Sequence, residues 1–160
     1  QTFSKDSFIS LYDLAPKNGE KIILQANTIE NAERNLDSRH ILLSLGTTYE
    51  EFSYNKFEEA CETINQNITN SLVSIEEALE KWGKPTPLRT SMGVINRVDG
   101  CSWLMTKQDW QKFGPLPVIE YGITGDVVIH DRLQFAGYES YIVKDCVTYH
   151  FVRGESIEIQ

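Results

Sequence analysis

The residues of this chain that could do chemistry gather near its C-terminal end, in the stretch GDVVIHDRLQFAGYESYIVKDCVTYHFVRGES. Asp126 and His130 stand four positions apart, a spacing that puts two side chains on one face of a helix. His150 closes an aromatic and β-branched run, and Arg153 and Ser156 follow it. A carboxylate and imidazoles can hold a divalent metal ion or move protons, and an Arg beside a hydroxyl suits a phosphate. An acidic chain that handled a phosphate-bearing small molecule would need a metal ion or a local basic loop to offset its own field, and this stretch is where either would be sought.

Each of these residues also has a structural explanation. Asp126 would place a favourable negative charge at a helix N-terminus, worth about 0.3 to 1 kcal/mol. The Asp126–His130 pair can be a surface hydrogen bond, because two ligands do not complete a metal site. His150 lies between Tyr149 and Phe151, as a hydrogen-bonded core histidine would. The residues alone leave both explanations open.

Composition limits the partners of the chain. Its 160 residues carry a net charge of -8, and the 15 basic residues form no run that could follow a phosphate backbone, so nucleic acid is not expected. No window approaches the ~20 apolar residues that cross a bilayer, and the first residues lack a secretory signal. We therefore expect a cytoplasmic protein with no membrane span. Cys61, Cys101 and Cys146 are odd in number and far apart, which predicts buried free thiols.

The elements that must position the reactive residues fall into two parts, separated by the Pro-rich stretch KWGKPTPLRT. In residues 1–90, the apolar runs KIILQA and HILLSL predict two buried strands. NTIENAERNLD, between them, predicts a helix with Asn27 or Thr28 as its N-cap. YNKFEEACETINQNI has apolar residues at helical spacing, and SIEEALEKWG begins with the capping-box pair Ser74 and Glu77. We expect this part to be a structural layer of helices and two strands.

Residues 91–160 alternate between predicted strands and predicted helices. The strands are MGVINR, CSWLMT, SYIVKD and VTYHFV, and the helices are KQDWQKF and GDVVIHDRLQFAG. Thr106 and Asp109 form a capping box for the first helix, and Gly137 is placed to cap the C-terminus of the second. Residues 1–160 are therefore predicted to form a single α/β domain with a mixed sheet flanked by helices.

Several residues after position 91 recur in the order and spacing of a known family. They are Gly100, Trp103, Asp109-Trp110, Gly114, Asp126, Arg132, Gly137-Tyr138 and His150. In this order they resemble the acceptor half of family 2 glycosyltransferases of the GT-A (nucleotide-diphospho-sugar transferase) fold. The resemblance implies transfer of a sugar from a nucleotide-sugar donor to a saccharide or another hydroxyl acceptor.

The resemblance also implies a role for individual residues. Asp126 matches the carboxylate that, in inverting members, takes the proton from the acceptor hydroxyl, a step worth ~10² to 10⁴ in rate. His150 matches the C-terminal His that helps hold a divalent metal, Mn²⁺ or Mg²⁺, on the donor diphosphate. Arg153 and Ser156 would lie in the loop beside that diphosphate. Trp103 could stack against an acceptor sugar, but a Trp in a strand more often belongs to the core.

Two departures from the family pattern keep other functions open. Gly125 stands where the family has the first residue of an acidic pair, and the chain has no Asp-x-Asp motif, which supplies metal ligands in most members. The nucleotide-binding half is not recognisable, so an upstream segment or a partner chain would have to supply it. The alternatives are a non-catalytic binding or assembly module of GT-A-like fold, and a small metal-dependent hydrolase using Asp126, His130 and His150.

Overall fold

The computed structural model describes residues 2–31, 41–46, 48–66, 68–82, 88–90, 93–95, 103–113, 119–120, 123–124, 129 and 132–150. Their strands are β1 (Thr2–Phe3), β2 (Ile22–Asn31), β3 (Ile41–Leu43), β4 (Leu72–Ser74), β5 (Leu88–Thr90), β6 (Gly93–Ile95), β7 (Trp103–Leu104), β8 (Ile119–Glu120), β9 (Ile123–Thr124) and β10 (Glu139–His150). Their helices are α1 (Ser7–Asp13), α2 (Tyr54–Asn65), α3 (Ile75–Trp82) and α4 (Lys107–Phe113), and residues 129 and 132–135 are also helical. None of these described helices is long and apolar enough to cross a membrane.

The two long strands, β2 and β10, form the centre of a mixed sheet. They run parallel to each other, and β3 continues the parallel arrangement on the other edge of β2. β4 and β1 pair antiparallel with successive parts of β10, and β7 pairs antiparallel with the start of β2. β5 and β6 form a separate antiparallel pair, as do β8 and β9. The predicted α/β class is therefore confirmed, and both parts of the chain contribute to the same sheet.

A β-bulge interrupts the pairing of the two central strands. Val143 pairs with Ala26, but the next pair joins Val147 to Asn27, so residues 144–146 are extra on β10. The sequence predicts two strands here, SYIVKD and VTYHFV, and that prediction is wrong. They form one strand, because β2 provides a continuous partner on both sides of the bulge.

Ser4, which directly follows β1, makes hydrogen bonds to the bulge. Its hydroxyl donates to the carbonyl of Asp145 at 3.2 Å and accepts from the amide of Val147 at 3.1 Å. The Ser4 amide also donates to the carbonyl of Val147 at 2.8 Å. On the other side of the bulge, the Lys144 amide donates to the carbonyl of Ser71 at 3.0 Å. These bonds satisfy backbone groups that the irregular register leaves without a ladder partner.

The predicted helix that begins at Asn27 or Thr28 is not formed at its start. Both residues lie inside β2, where they are 2% and 1% exposed. The Thr28 and Thr148 hydroxyls are 3.3 Å apart across the β2–β10 pair. Pairing with strands on both edges therefore overrides the local capping preference of these residues. The rest of the predicted helix, residues 32–37, lies outside the described residues.

Alternate side chains of β2 lie on opposite faces of the sheet. We call the face of Ile23, Gln25, Asn27 and Ile29 face A. At one end of face A, Ile23 belongs to a buried cluster with Leu133 of the helical segment 132–135. At the other end, Ile29 packs in a cluster with residues of α2. Face A thus has apolar packing at both ends and two amide side chains between them.

The opposite face, face B, packs against the first helix. Leu24 and Ala26 of β2 form a buried cluster with Val143 and Cys146 of β10. Partly buried Leu11 of α1 packs against this cluster. Helices therefore cover both faces of the central strands, as expected for an α/β sheet.

Both predicted N-terminal capping boxes are confirmed in part. In each, the backbone amide of the later residue donates to the hydroxyl of the N-cap residue. The amide of Glu77 donates to the Ser74 hydroxyl at 3.2 Å, at the start of α3. At the start of α4, the amide of Asp109 donates to the Thr106 hydroxyl at 3.1 Å. The Thr106 hydroxyl in turn donates to the Asp109 carboxylate at 2.6 Å. Each cap satisfies an amide that has no partner within its own helix.

Gly137 ends the helical segment 132–135, as predicted. Its φ of 82° lies in the left-handed region, which glycine adopts without a Cβ clash. The Gly137 amide donates to the carbonyl of Gln134, and the Tyr138 amide donates to the carbonyl of Leu133, both at 3.0 Å. This pair of bonds is a Schellman motif, and it sets the position of Tyr138.

The predicted amphipathic helix around Cys61 is confirmed, but it is shorter than predicted. Phe57 and Cys61 are buried on one face of α2, which ends at Asn65. Ile68 lies beyond the helix and packs in another cluster, with Ile142 of β10. The chain therefore leaves the helical path before the last apolar position of the predicted stripe.

Candidate functional site

The carboxyl ends of the three parallel strands meet at one edge of the sheet. β10 ends at His150, whose register partner in β2 is Glu30. Glu30 and the following residue, Asn31, pair with Leu42 and Leu43 of β3. In open α/β sheets, ligands bind beyond the carboxyl ends of the strands. The structure therefore brings His150 to the edge of the sheet where a ligand is expected.

The neighbourhood of His150 offers suitable donor types for a hard divalent cation. Imidazole and carboxylate groups both coordinate Mn²⁺, and carboxylates also suit Mg²⁺. His150 and Glu30 are register partners in the backbone pairing of β10 with β2 at this edge. Among the described side chains, no group of three His, Cys, Asp or Glu gathers around a possible metal position. The residue types fit a metal, and further ligands would have to come from elsewhere in the chain, the substrate or solvent.

The remaining predicted reactive residues lie outside the described part of the chain. These are Asp126, His130, Arg153 and Ser156. The catalytic role of Asp126 and the diphosphate contacts of Arg153 and Ser156 therefore stay predictions.

Trp103, the predicted acceptor-binding residue, lies beside the central strands. It pairs in antiparallel register with Gln25 of β2, so the two residues are directly opposite each other. Its half-buried ring packs against the cluster that contains Ile23 and Leu133. Trp103 therefore stands on face A next to Gln25, and part of its ring surface belongs to the core.

A pair of buried amides on face A is a feature that the sequence analysis did not identify. Gln25 and Asn27 are 0% and 2% exposed, and one residue separates them. The register pair of Gln25 with Trp103 extends this polar row to a third side chain, whose indole nitrogen is also buried. The signal was present as two amides inside the apolar run IILQANTI. It was missed because Asn27 was assigned to a helix N-cap.

The side chain of Asn27 is buried beside the bulge in β10. Its Nδ2 is buried and has no hydrogen-bond partner among the described residues. Leaving such a group unpaired costs about 1 to 3 kcal/mol, so buried donors normally have a partner. Asn27 also stands at the register shift of β10, and bulges are common next to functional sites. A ligand or an ordered water would explain the unpaired amide.

A hydrogen bond between the side chains of Asp109 and Tyr138 links α4 to the segment after Gly137. The Tyr138 hydroxyl donates to the Asp109 carboxylate at 2.5 Å. Burial, and then the hydrogen bond to Asp109, raises the pKa of Tyr138 to about 12. Lys21 also contacts this segment. Its ammonium group donates to the carbonyl of Ala136 at 2.7 Å and lies 6.0 Å from the centre of the Tyr138 ring. Two residues of the family-like pattern thus have a structural role here.

The described cysteines are poor nucleophiles. Cys61 and Cys146 are free and buried, as predicted, and Cys101 lies outside the described residues. Burial raises the pKa of the Cys61 thiol to about 12 and that of the Cys146 thiol to about 11. Both thiols therefore stay protonated at neutral pH, where the thiol is a much weaker nucleophile than the thiolate.

Comparisons of the chain with protein-family models, with curated proteins and with solved structures found no match in any of the three. Any function must therefore be argued from the arrangement of its own residues.

Proposed function

We propose that this chain is the acceptor-side part of a metal-dependent glycosyltransferase with a GT-A-like fold. It would move a sugar from a nucleotide-sugar donor to a saccharide or another hydroxyl acceptor. The observation that supports this best is the register of His150 with Glu30 at the carboxyl ends of parallel strands. The residue expected to hold a metal ion thus ends a central strand, where α/β sheets bind ligands.

In the proposed mechanism, Asp126 acts as the general base. It accepts the proton of the acceptor hydroxyl while that oxygen attacks the anomeric carbon of the donor sugar. A carbon–oxygen bond forms to the acceptor, and the bond from the anomeric carbon to the diphosphate breaks, with its electron pair leaving on the diphosphate. A single displacement of this kind inverts the anomeric configuration.

The leaving diphosphate carries the charge that the site must offset. A bound divalent metal supplies positive charge at that position. His150 and the adjacent Glu30 would hold it, and Arg153 and Ser156 would donate hydrogen bonds to the phosphate oxygens. Such an arrangement is needed in a chain with a net charge of -8, whose own field repels anionic substrates.

Calorimetric titration with UDP and GDP, each with and without Mn²⁺, tests this proposal. We expect binding that requires the metal. His150→Ala should abolish it, because the cation is lost with its ligand. Asp126→Asn should bind as the wild type does but transfer no sugar, because the base acts on the acceptor and not on the nucleotide.

Glu139→Gln is a matched control for a Glu30→Gln variant. Glu139 begins β10 at the opposite end of the strand from His150, and its carboxylate is exposed. Glu30→Gln should weaken metal-dependent binding, whereas Glu139→Gln should not. Equal binding by the wild type and His150→Ala would contradict the proposed metal role.

A second function, a non-catalytic module with a GT-A-like fold, is favoured by one observation. The chain has no Asp-x-Asp motif to supply further metal ligands. Absence of binding to either nucleotide at millimolar concentration, with or without metal, would support this function over glycosyl transfer.

A further inference from the structure

The polar row on face A lies where the sheet would be expected to be apolar. Gln25 and Asn27 stand between Ile23 and Ile29, each of which belongs to a buried apolar cluster. Trp103 stands opposite Gln25 in the neighbouring strand. Three side chains with hydrogen-bonding groups are thus adjacent on one face of the central strands.

The buried, unpaired amide of Asn27 indicates that this row binds a ligand. Its Nδ2 has no partner within the described part of the chain, although the residue is only 2% exposed. An apolar residue of similar shape would avoid the loss of hydration that this amide suffers. An amide in this position therefore lowers the stability of the empty protein, as groups that contact ligands commonly do.

The amide and indole groups of the row determine which class of ligand it can bind. Its three side chains are uncharged, so they are poorly suited to a phosphate or a bare cation, which call for charged partners. Amide groups carry both donors and acceptors, and so do the hydroxyl groups of a sugar. The indole ring adds an apolar surface with an N–H at its edge, which matches a sugar ring whose faces carry C–H groups.

We infer that Gln25, Asn27 and Trp103 form a binding site for the hydroxyl groups of a neutral saccharide. The inference rests on the proposed function, since it names side chains that hold one of the two sugars. Both amides are almost fully buried. Face A must therefore open for the ligand to enter.

Saturation-transfer NMR with methyl glucoside, methyl galactoside and N-acetylglucosamine, without nucleotide or metal, tests this site. We compare the wild type with Asn27→Leu and with the control Thr28→Ser. Thr28 is the next residue of β2 but lies on face B, and serine keeps the hydroxyl that faces Thr148. At least one saccharide should give a signal with the wild type and the control. Asn27→Leu should weaken that signal by about tenfold or more.

The melting temperature separates a ligand site from a structural amide. If Asn27 serves a ligand, Asn27→Leu removes an unpaired polar group, and the melting temperature stays equal or rises. A fall of several degrees would mean that Asn27 is held by a structural partner, such as an ordered water, and would overturn the inference. Saccharide signals that persist in Asn27→Leu, or no signal with the wild type, would also overturn it.

The two proposals fail in different ways. Metal-dependent nucleotide binding without a saccharide signal would leave the transferase proposal standing and remove the site on face A. A saccharide signal lost in Asn27→Leu, without any nucleotide binding, would leave a carbohydrate-binding module and remove the transfer reaction.

Discussion

Gly46 is a residue whose backbone conformation permits no substitute. Its φ is 120°, and an added Cβ would lie 2.7 Å from the carbonyl carbon of Glu51 and 2.8 Å from the amide nitrogen of Phe52. Its carbonyl also accepts a hydrogen bond from the hydroxyl of buried Tyr149 at 2.9 Å. Gly46 therefore helps to fix the loop after β3 against the core, together with Leu45 and Phe52, which pack against the cluster that contains Tyr149.

Gly46→Ala should lower the free energy of unfolding by about 3 kcal/mol or more, because backbone strain and a steric clash add together. Gly19→Ala is the control, since Gly19 also has a positive φ of 92° but has nothing within 4 Å of its added Cβ. The control should cost only about 1 kcal/mol. Urea unfolding of both variants measures the difference, and similar losses would show that the clash is relieved by movement of the loop.

The bond between Tyr138 and Asp109 should be measurable as a coupling energy. A double-mutant cycle with Tyr138→Phe and Asp109→Asn should give about 1.5 to 3 kcal/mol, the range for a hydrogen bond to a charged group. The free energy of unfolding in urea provides each corner of the cycle. A coupling energy near zero would mean that α4 and the segment after Gly137 are positioned by apolar packing alone.

At the scale of elements, the bulge in β10 is held partly by the Ser4 hydroxyl. Two backbone hydrogen bonds, from the Ser4 amide to the Val147 carbonyl and from the Lys144 amide to the Ser71 carbonyl, also hold it. Ser4→Ala removes the hydrogen bonds to the Asp145 carbonyl and from the Val147 amide. We expect a loss of about 1 to 3 kcal/mol in unfolding free energy, because buried backbone groups lose their partner. Hydrogen exchange at Val147 should become faster in this variant. Ser10→Ala, in the middle of α1, is the control and should change neither quantity appreciably.

Helix ends were predictable from the sequence because they depend on neighbours a few positions away. Ser74, Thr106 and Gly137 each cap their helix through bonds that span three to five residues. Asn27 was not predictable in this way. Its neighbours permit a helix cap, and it is held in a strand by Val147, a partner from the far end of the chain.

The candidate site was predictable only in part, for the same reason. His150 could be identified as the polar end of an aromatic strand. Its register with Glu30 depends on which strands pair, and on a bulge that shifts their alignment. Gln25 and Asn27 stand out as amides in an apolar run, but only the pairing of Gln25 with Trp103 joins them into a row.

For the whole molecule, two buried thiols and a buried phenol with raised pKa values predict that the folded state loses stability at alkaline pH. Burial raises the pKa of Cys146 from 9.0 to about 11 and that of Cys61 from 9.0 to about 12. Burial and the bond to Asp109 raise that of Tyr138 from 10.0 to about 12. Above pH 9 the unfolded chain releases protons that the folded chain retains. Stability is therefore fully present below pH 9 and falls as the pH rises towards 12.

The urea midpoint measured between pH 7 and pH 11 tests this prediction. It should be constant up to about pH 8.5 and then fall. Cys146→Ala should reduce the fall between pH 9 and pH 11, because alanine has no proton to release. A midpoint that rises with pH in this range would contradict the assigned pKa directions.

The position of β10 in the sheet constrains how the chain can fold. β10 is the last described strand to leave the ribosome, yet it pairs with β1, β2 and β4, all of which are made much earlier. Until it arrives, one edge of β2 has no partner and can pair with the wrong segment or with another nascent chain. Contacts between residues so far apart in sequence also slow the search for the native sheet. Synthesis that stops before β10 should therefore leave a chain that chaperones must hold, and not a smaller folded protein.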